Sequence, residues 1–425
     1  MSTKIERIAA RQILDCNSRP ALEVDVYTYD GVMGRGSAPT GTSVGKYESF
    51  ILRDGDENDY HGLSVHKAVD IVHNIIAPAV IDMDVLDQKA IDEAMIALDG
   101  TPNKGKLGGN SIYSTSIACY RAAAASQRVP LYRYIAGGPP KTIPLPTFNV
   151  INGGKNGNVK QAFNEFMLAP YRADSVEQAI SMAVAVSQRL ESVITRYNKG
   201  VPPMLGRSYG WAAPSNDPSV VLELMAQAVE ECGFTDKMAY ALDCASTEMY
   251  DAKTSTYELM GNRVSSDEII DFASELTKRF NLVFIEDLLD EDDWKGFIKA
   301  NQELKRTIVI GDDFIATNPE RLNKAYELKA VDGFILKPNQ IGTITEALNA
   351  HHFAAERGLL VIPSGRAGGV IGDIIADLSI GLHSKISKNG VPKTGERLDK
   401  MNYLLRASSE NPDSHLHDLS KIVRF

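Results

Sequence analysis

Five short apolar runs, MAYALD, LVFIED, TIVIGDD, VDGFILK and LLVIPSGR, follow one another from Asp236 onward with amphipathic helical patterns between them. Runs apolar on both faces read as strands buried on both sides, and strands separated by helices pair in parallel through crossover connections. Each run ends in a polar or charged residue. The positions Asp243, Glu286, Asp312, Lys337 and Arg366 recur about once per βα unit of roughly 25 to 45 residues. In a (β/α)8 barrel the C-terminal strand ends face one mouth, so these five side chains are expected in one pocket although they lie far apart along the chain.

Upstream, KIERIAARQILD and ALEVDVYTYDG read as two strands of a hairpin, followed by a mobile glycine-rich loop, GRGSAPTGTSVGKYE. SVHKAVDIVHNIIAPAVI, LDQKAIDEAMIAL and NSIYSTSIACYRAAAASQ place apolar residues at three- and four-residue steps and predict helices. The proline- and glycine-rich stretch GGPPKTIPLP has the character of a domain boundary. An α+β domain over residues 1–138 and a barrel domain over 139–425 are therefore expected, in keeping with a chain too long for one ordinary core.

Composition removes several function classes. No apolar run approaches the length needed to cross a bilayer, and MSTKIERIAARQILD lacks the basic-then-apolar order of a secretion signal, so a cytoplasmic protein without a membrane role is expected. Cys16, Cys119, Cys232 and Cys244 are scattered without metal-type spacing, which predicts reduced thiols. A net charge of -10 gives no chain-wide attraction to nucleic acid. An anionic substrate must then be held by local cations or metals.

Asp243, Glu286 and Asp312 make a hard oxygen cage of the kind Mg²⁺ takes, with positions left for water and substrate. Any one of them alone reads equally well as a helix N-cap. Three in register, each beside another acid or polar group, favour the metal. Lys337, on the next strand, is either a counter-ion or a base, and a divalent cation opposite it favours the base by depressing its pKa.

LDCASTEMY, FIEDLLDEDDWKGF, IGDDFIATNP, ILKPNQIGTITEAL and IADLSIG resemble enolase motifs almost residue for residue, as do LRDGD, KAV, NVINGG and EFM. The likeness spans nearly the whole chain. It implies the enolase fold, an α/β architecture with an N-terminal α+β cap and a C-terminal β2α2(βα)6 TIM-like barrel. It implies Asp243, Glu286 and Asp312 as ligands of a first Mg²⁺, Lys337 as the base that removes the proton α to the substrate carboxylate, and Lys388 in ISKNG as a cation beside that carboxylate. Such a proton is very weakly acidic, and the enolate is tolerable only where metals neutralise it. Ser43 in PTGTSVG matches the lid-loop serine that completes a second metal site when substrate binds. A homodimer is implied by Glu23 and Arg406, which occupy positions that pair across the two-fold interface, although the neighbouring pair is half kept, with Arg11 facing Ser409.

The resemblance breaks on one side of the site. The family's D-E-G-G-Y-A-P loop is SYGWAAP here, with Tyr209 on the glutamate, and its H-R-S-G motif is Gly365, Arg366, Ala367 and Gly368. Asn156 stands for the active-site histidine and Asn164 for a glutamine, while Glu165 is retained. Lys155 and Arg207 replace acidic residues and suggest a more cationic pocket. Tyr209 reads as a substitute acid, a donor to a new substrate oxygen, or a filler. The expectation is a Mg²⁺-dependent lyase working through an enolate on a phospho- or phosphono-carboxylate altered from 2-phosphoglycerate. The alternatives are an ordinary phosphopyruvate hydratase, a phosphonate-pathway enzyme of the carboxyphosphonoenolpyruvate type, and a binding scaffold without catalysis.

Overall fold

The computed structural model describes residues 2–41, 45–157 and 161–425. Its first part is an antiparallel meander of β1 (Ile5–Leu14), β2 (Pro20–Thr28) and β3 (Met33–Ser37). The third strand occupies part of the glycine-rich segment expected to be a mobile loop. Its glycines hid it: a Cβ on Gly34 would run into the Ala118 carbonyl oxygen, and one on Gly36 into that of Ser114. Both residues are bare so that a helix can lie directly on the sheet.

The three expected helices are present. The first runs from His66 to Val80, with a π-helical segment at Val72–Ile76. The others are α1 (Gln88–Asp99), capped by the Asp87 side chain, and α2 (Gly109–Ser126). Leu22, Val24 and Val26 of the sheet pack against Ile91, Met95, Ile112 and Cys119 of these helices in a core of their own.

The second part is a barrel of β4 (Leu145–Asn152), β5 (Glu165–Ala169), β6 (Ala239–Asp243), β7 (Leu282–Glu286), β8 (Ile308–Gly311), β9 (Gly333–Leu336), β10 (Leu360–Pro363) and β11 (Ile386–Lys388). β5 runs antiparallel to both neighbours and the remaining pairs are parallel. A parallel bridge between Ser364 and Lys388 joins β10 to β11. Met167, Ala239, Ala241, Phe284, Ile310, Ile335 and Ile362 fill the interior. The helices include α3 (Val176–Tyr197), α4 (Pro218–Glu231), α5 (Ser266–Arg279), α6 (Trp294–Glu303), α7 (Pro319–Glu327), α8 (Ile344–Glu356), α9 (Ile375–Gly381) and α10 (Gly395–Glu410). A capping box at Ser265 and Glu268 starts α5, and Asn318 caps α7 with a proline at its first turn. No helix is long and apolar enough to cross a membrane among the described residues, and all four cysteines are free thiols.

The first part touches the barrel mouth. Thr40 and Gly368 exchange backbone hydrogen bonds (3.2 and 3.0 Å), and the Ser49 amide donates to the Gln340 carbonyl (2.7 Å).

Candidate active site

Asp243, Glu286 and Asp312 sit at the ends of β6 and β7 and just past β8, where parallel pairing places Glu286 directly opposite Asp243. All three are buried. Lys388, the last residue of β11, puts its ammonium 2.5 Å from Glu286 Oε2, 3.4 Å from Asp243 Oδ2 and 3.5 Å from Glu165 Oε2. Lys337 follows β9 and pairs with Asp312, whose other oxygen accepts from Gln340 Nε2 at 2.9 Å. Asp287 stands behind them and accepts from the amides of Asp312 and Asp313, both at 2.8 Å. The structure thus brings together the strand-end residues that the sequence pattern marked, together with Lys388.

The electrostatics follow from burial and crowding. Burial pushes the Asp243 carboxyl up to about 6, with Glu165 and Asp312 adding to the rise and Lys388 opposing it. Burial also holds Glu286 well above the ordinary carboxylate range. For Asp312 burial works the same way, but Lys337 and Lys388 outweigh it and the carboxyl lies below its usual value. Burial works against the Lys337 ammonium, yet Asp312 more than compensates and the lysine is raised. The depression expected from the sequence needs a cation as the nearest partner, and in the protein alone that partner is a carboxylate.

Glu286 Oε1 is buried and, among the described residues, has no hydrogen-bond partner. An ionised oxygen so placed is costly unless a cation takes it up. This orphan, in a set of hard carboxylate oxygens, fits a divalent metal, and Asp243, Glu286 and Asp312 are the residues that would hold it. Oxygens of Asp287, Asp312 and Asp313 also lie within 4.8 Å of one another.

Two cavities meet at Arg366. One opens onto Asp243, Asp312, Lys337 and Asn164. The other runs toward Asn149, Asn389, Arg397 and Lys400. Glu165, Ser364, Gly365, Ala367 and Lys388 line both. The Arg366 guanidinium donates to both oxygens of Glu48, at 2.8 and 3.1 Å, with the pair almost wholly buried. Asn149 Nδ2 donates to Glu165 at 2.7 Å and fixes that carboxylate at the junction.

The rewritten loops are placed differently from expectation. Tyr209 adopts a left-handed backbone (φ 63°), lines neither cavity, and donates its hydroxyl to the Cys16 carbonyl at 2.7 Å. Ser208 beside it is buried, with a hydroxyl that lacks a partner. Lys155 is exposed, 3.5 Å from Glu248, and Arg207 is exposed as well. The structure therefore does not bring these two cations to the junction. The extra positive charge there comes from Arg397 and Lys400 of α10, which sequence reasoning missed. Ser43 and the Asn156 side chain lie outside the described residues.

A barrel whose carboxylate-tipped strands enclose Lys337 and the buried Lys388, under an α+β unit that supplies a loop to the mouth, has the make-up of an enzyme with a charged site that fits a divalent metal. The enolase N-terminal domain matches residues 5–135, and the enolase C-terminal TIM barrel domain matches residues 140–420. Over 410 residues the chain is 40% identical to the enolase of Methanococcus maripaludis and 39% identical to that of Methanopyrus kandleri, with 96% of each chain covered in both cases. The chain belongs to the enolase family and is an enolase-type carbon–oxygen lyase.

Proposed function

We propose that this lyase removes the proton α to the carboxylate of a small phosphorylated acid, and that 2-phosphoglycerate is such an acid, giving phosphoenolpyruvate and water. The observation that carries the reading is the pair of lysines in the carboxylate cage, the half-buried Lys337 beside Asp312 and the buried Lys388 beside Glu286. Likeness to enolases along 96% of the chain supports the reaction.

Lys337 serves as the base, and Lys388 holds the substrate carboxylate next to it. Glu165, which lines both cavities, would act in its protonated form, giving its proton to the departing hydroxyl so that water leaves and taking a proton back from solvent afterwards. Arg366 receives the phosphoryl group once that group displaces Glu48. Mg²⁺ held by Asp243, Glu286 and Asp312 supplies the positive charge that offsets the substrate's growing negative charge.

A second reading, a substrate altered from 2-phosphoglycerate, is favoured by Gly365 and Ala367, which bring no polar side chain to the cavities they line, and by the engagement of Tyr209 with Cys16. The deciding experiment measures turnover of 2-phosphoglycerate and deuterium wash-in at its α carbon with Mg²⁺ present. Turnover supports the first reading, and exchange without elimination supports the second. Lys337→Ala is expected to abolish exchange and Tyr209→Phe to retain it. Absence of both turnover and exchange, across a panel of phospho- and phosphono-carboxylates, would overturn both readings.

A further inference from the structure

Past Arg366 the second cavity reaches Arg397 and Lys400, which have no part in the reaction above. Lys400 is 3% exposed, and among the described residues its ammonium makes one hydrogen bond, to the Glu396 carbonyl at 3.1 Å. Gly365 leaves it uncovered: a Cβ there would meet Lys400 Cε at 3.3 Å, with Lys400 Nζ and Asp373 Oδ2 each at 3.5 Å. Arg397 donates to the Ser208 carbonyl at 2.6 Å and lies 3.3 Å from Glu396. Asp373 and Glu396 lie close by and balance some of this charge, yet among the described residues Asp373 Oδ2 and both Glu396 oxygens make no hydrogen bond. The wall itself carries Arg366, Lys388, Arg397 and Lys400 against one carboxylate, Glu165. A buried ammonium with one hydrogen bond, as Lys400 has, is costly, and an oxyanion is a ligand that satisfies it.

We propose that this cavity is a subsite for a second carboxylate, so that the enzyme also takes phosphorylated or phosphono dicarboxylic acids. The proposal rests on the reading of the mouth as a carboxylate and phosphoryl site, because the two cavities share walls at Glu165, Gly365, Arg366 and Lys388 and one ligand spans them. 2-Phosphoglycerate leaves the subsite empty, and a dicarboxylate fills it.

The test is calorimetric titration of the Mg²⁺-loaded protein with phosphonoacetate and with phosphonosuccinate, which differ by one carboxymethyl arm. Phosphonosuccinate is expected to bind about tenfold tighter or more, as a charge-assisted hydrogen bond allows. The gain is expected to vanish in Lys400→Met, which removes the cation, and in Gly365→Val, which fills the space in front of it. Should Lys400→Met fail to fold, Gly365→Val decides. Equal binding of the two acids by the parent would overturn the subsite and leave the mouth reading standing, as would a gain that survives both variants. Binding of neither acid would overturn the mouth reading and the subsite with it.

Discussion

Arg366 meets Glu48 through two hydrogen bonds with neither side chain more than 5% exposed, so any oxyanion that reaches the arginine competes with a carboxylate already there. Glu48→Gln is expected to tighten binding of inorganic phosphate at the mouth and to destabilise the fold by about 3–5 kcal/mol, the usual consequence of breaking a buried pair. Urea unfolding and phosphate titration check the two effects, and a variant as stable as the parent would show that the pair does not bear on stability. Asp312→Ala is expected to weaken Mg²⁺ binding by roughly tenfold or more, because it removes one of few charged oxygens and releases Lys337 into the cage. Titration calorimetry reads this, and unchanged affinity would contradict the assignment of Asp312. Asp243, Glu286, Asp312, Lys337 and Arg366 were legible in the sequence because each closes an apolar run. Glu48, Arg397, Lys400 and Gln340 were not, because they reach the same place from loops and helices whose spacing follows packing.

Among the elements, β6 to β10 announced themselves as short apolar runs. β4 did not, although every residue of LPTFNVIN is buried. Its Asn149 and Asn152 face inward and bond to Glu165, to each other and to the Gly210 amide (2.9 Å), a polar network that breaks the apolar pattern. β3 was read as loop for the opposite reason, glycines that serve a close helix contact. On α8, burial pushes the His351 imidazole down to about 4, and its Nδ1 has no partner among the described residues. The unfolded chain takes up this proton near 6.5 and the folded chain only near 4, so stability is lost as pH falls between those values. A loss of about 2 kcal/mol is expected after discounting for residual exposure. Urea midpoints at pH 7 and pH 5 for the parent and His351→Gln test this, and equal losses in the two would remove His351 as the cause.

For the whole molecule, we propose the division of the chain at residues 138 and 139 and its assembly as a homodimer. Glu23 is already engaged by Arg11 at 2.5 Å and Arg35 at 3.5 Å, and Arg406 is exposed on α10. Sedimentation at micromolar concentration is expected to show a dimer that Arg406→Glu shifts toward monomer, and a strictly monomeric parent would refute the assembly. The segment from Ser364 to Gly368 has a further consequence for how such a protein changes over generations. Ser364 is bridged to Lys388, Arg366 is gripped by Glu48, and Gly368 is paired with Thr40 and so enclosed that a side chain there would strike Arg19. The alternate positions, Gly365 and Ala367, are held through backbone atoms alone, the Gly365 amide donating to the Lys388 carbonyl at 3.4 Å and the Ala367 carbonyl accepting from Asn17 Nδ2 at 3.2 Å, and they line the cavities. Substitution at those two positions is expected to redraw the shape of the ligand chamber while the arginine stays where it is, so this barrel can change what it accepts through two residues without rebuilding the anchor.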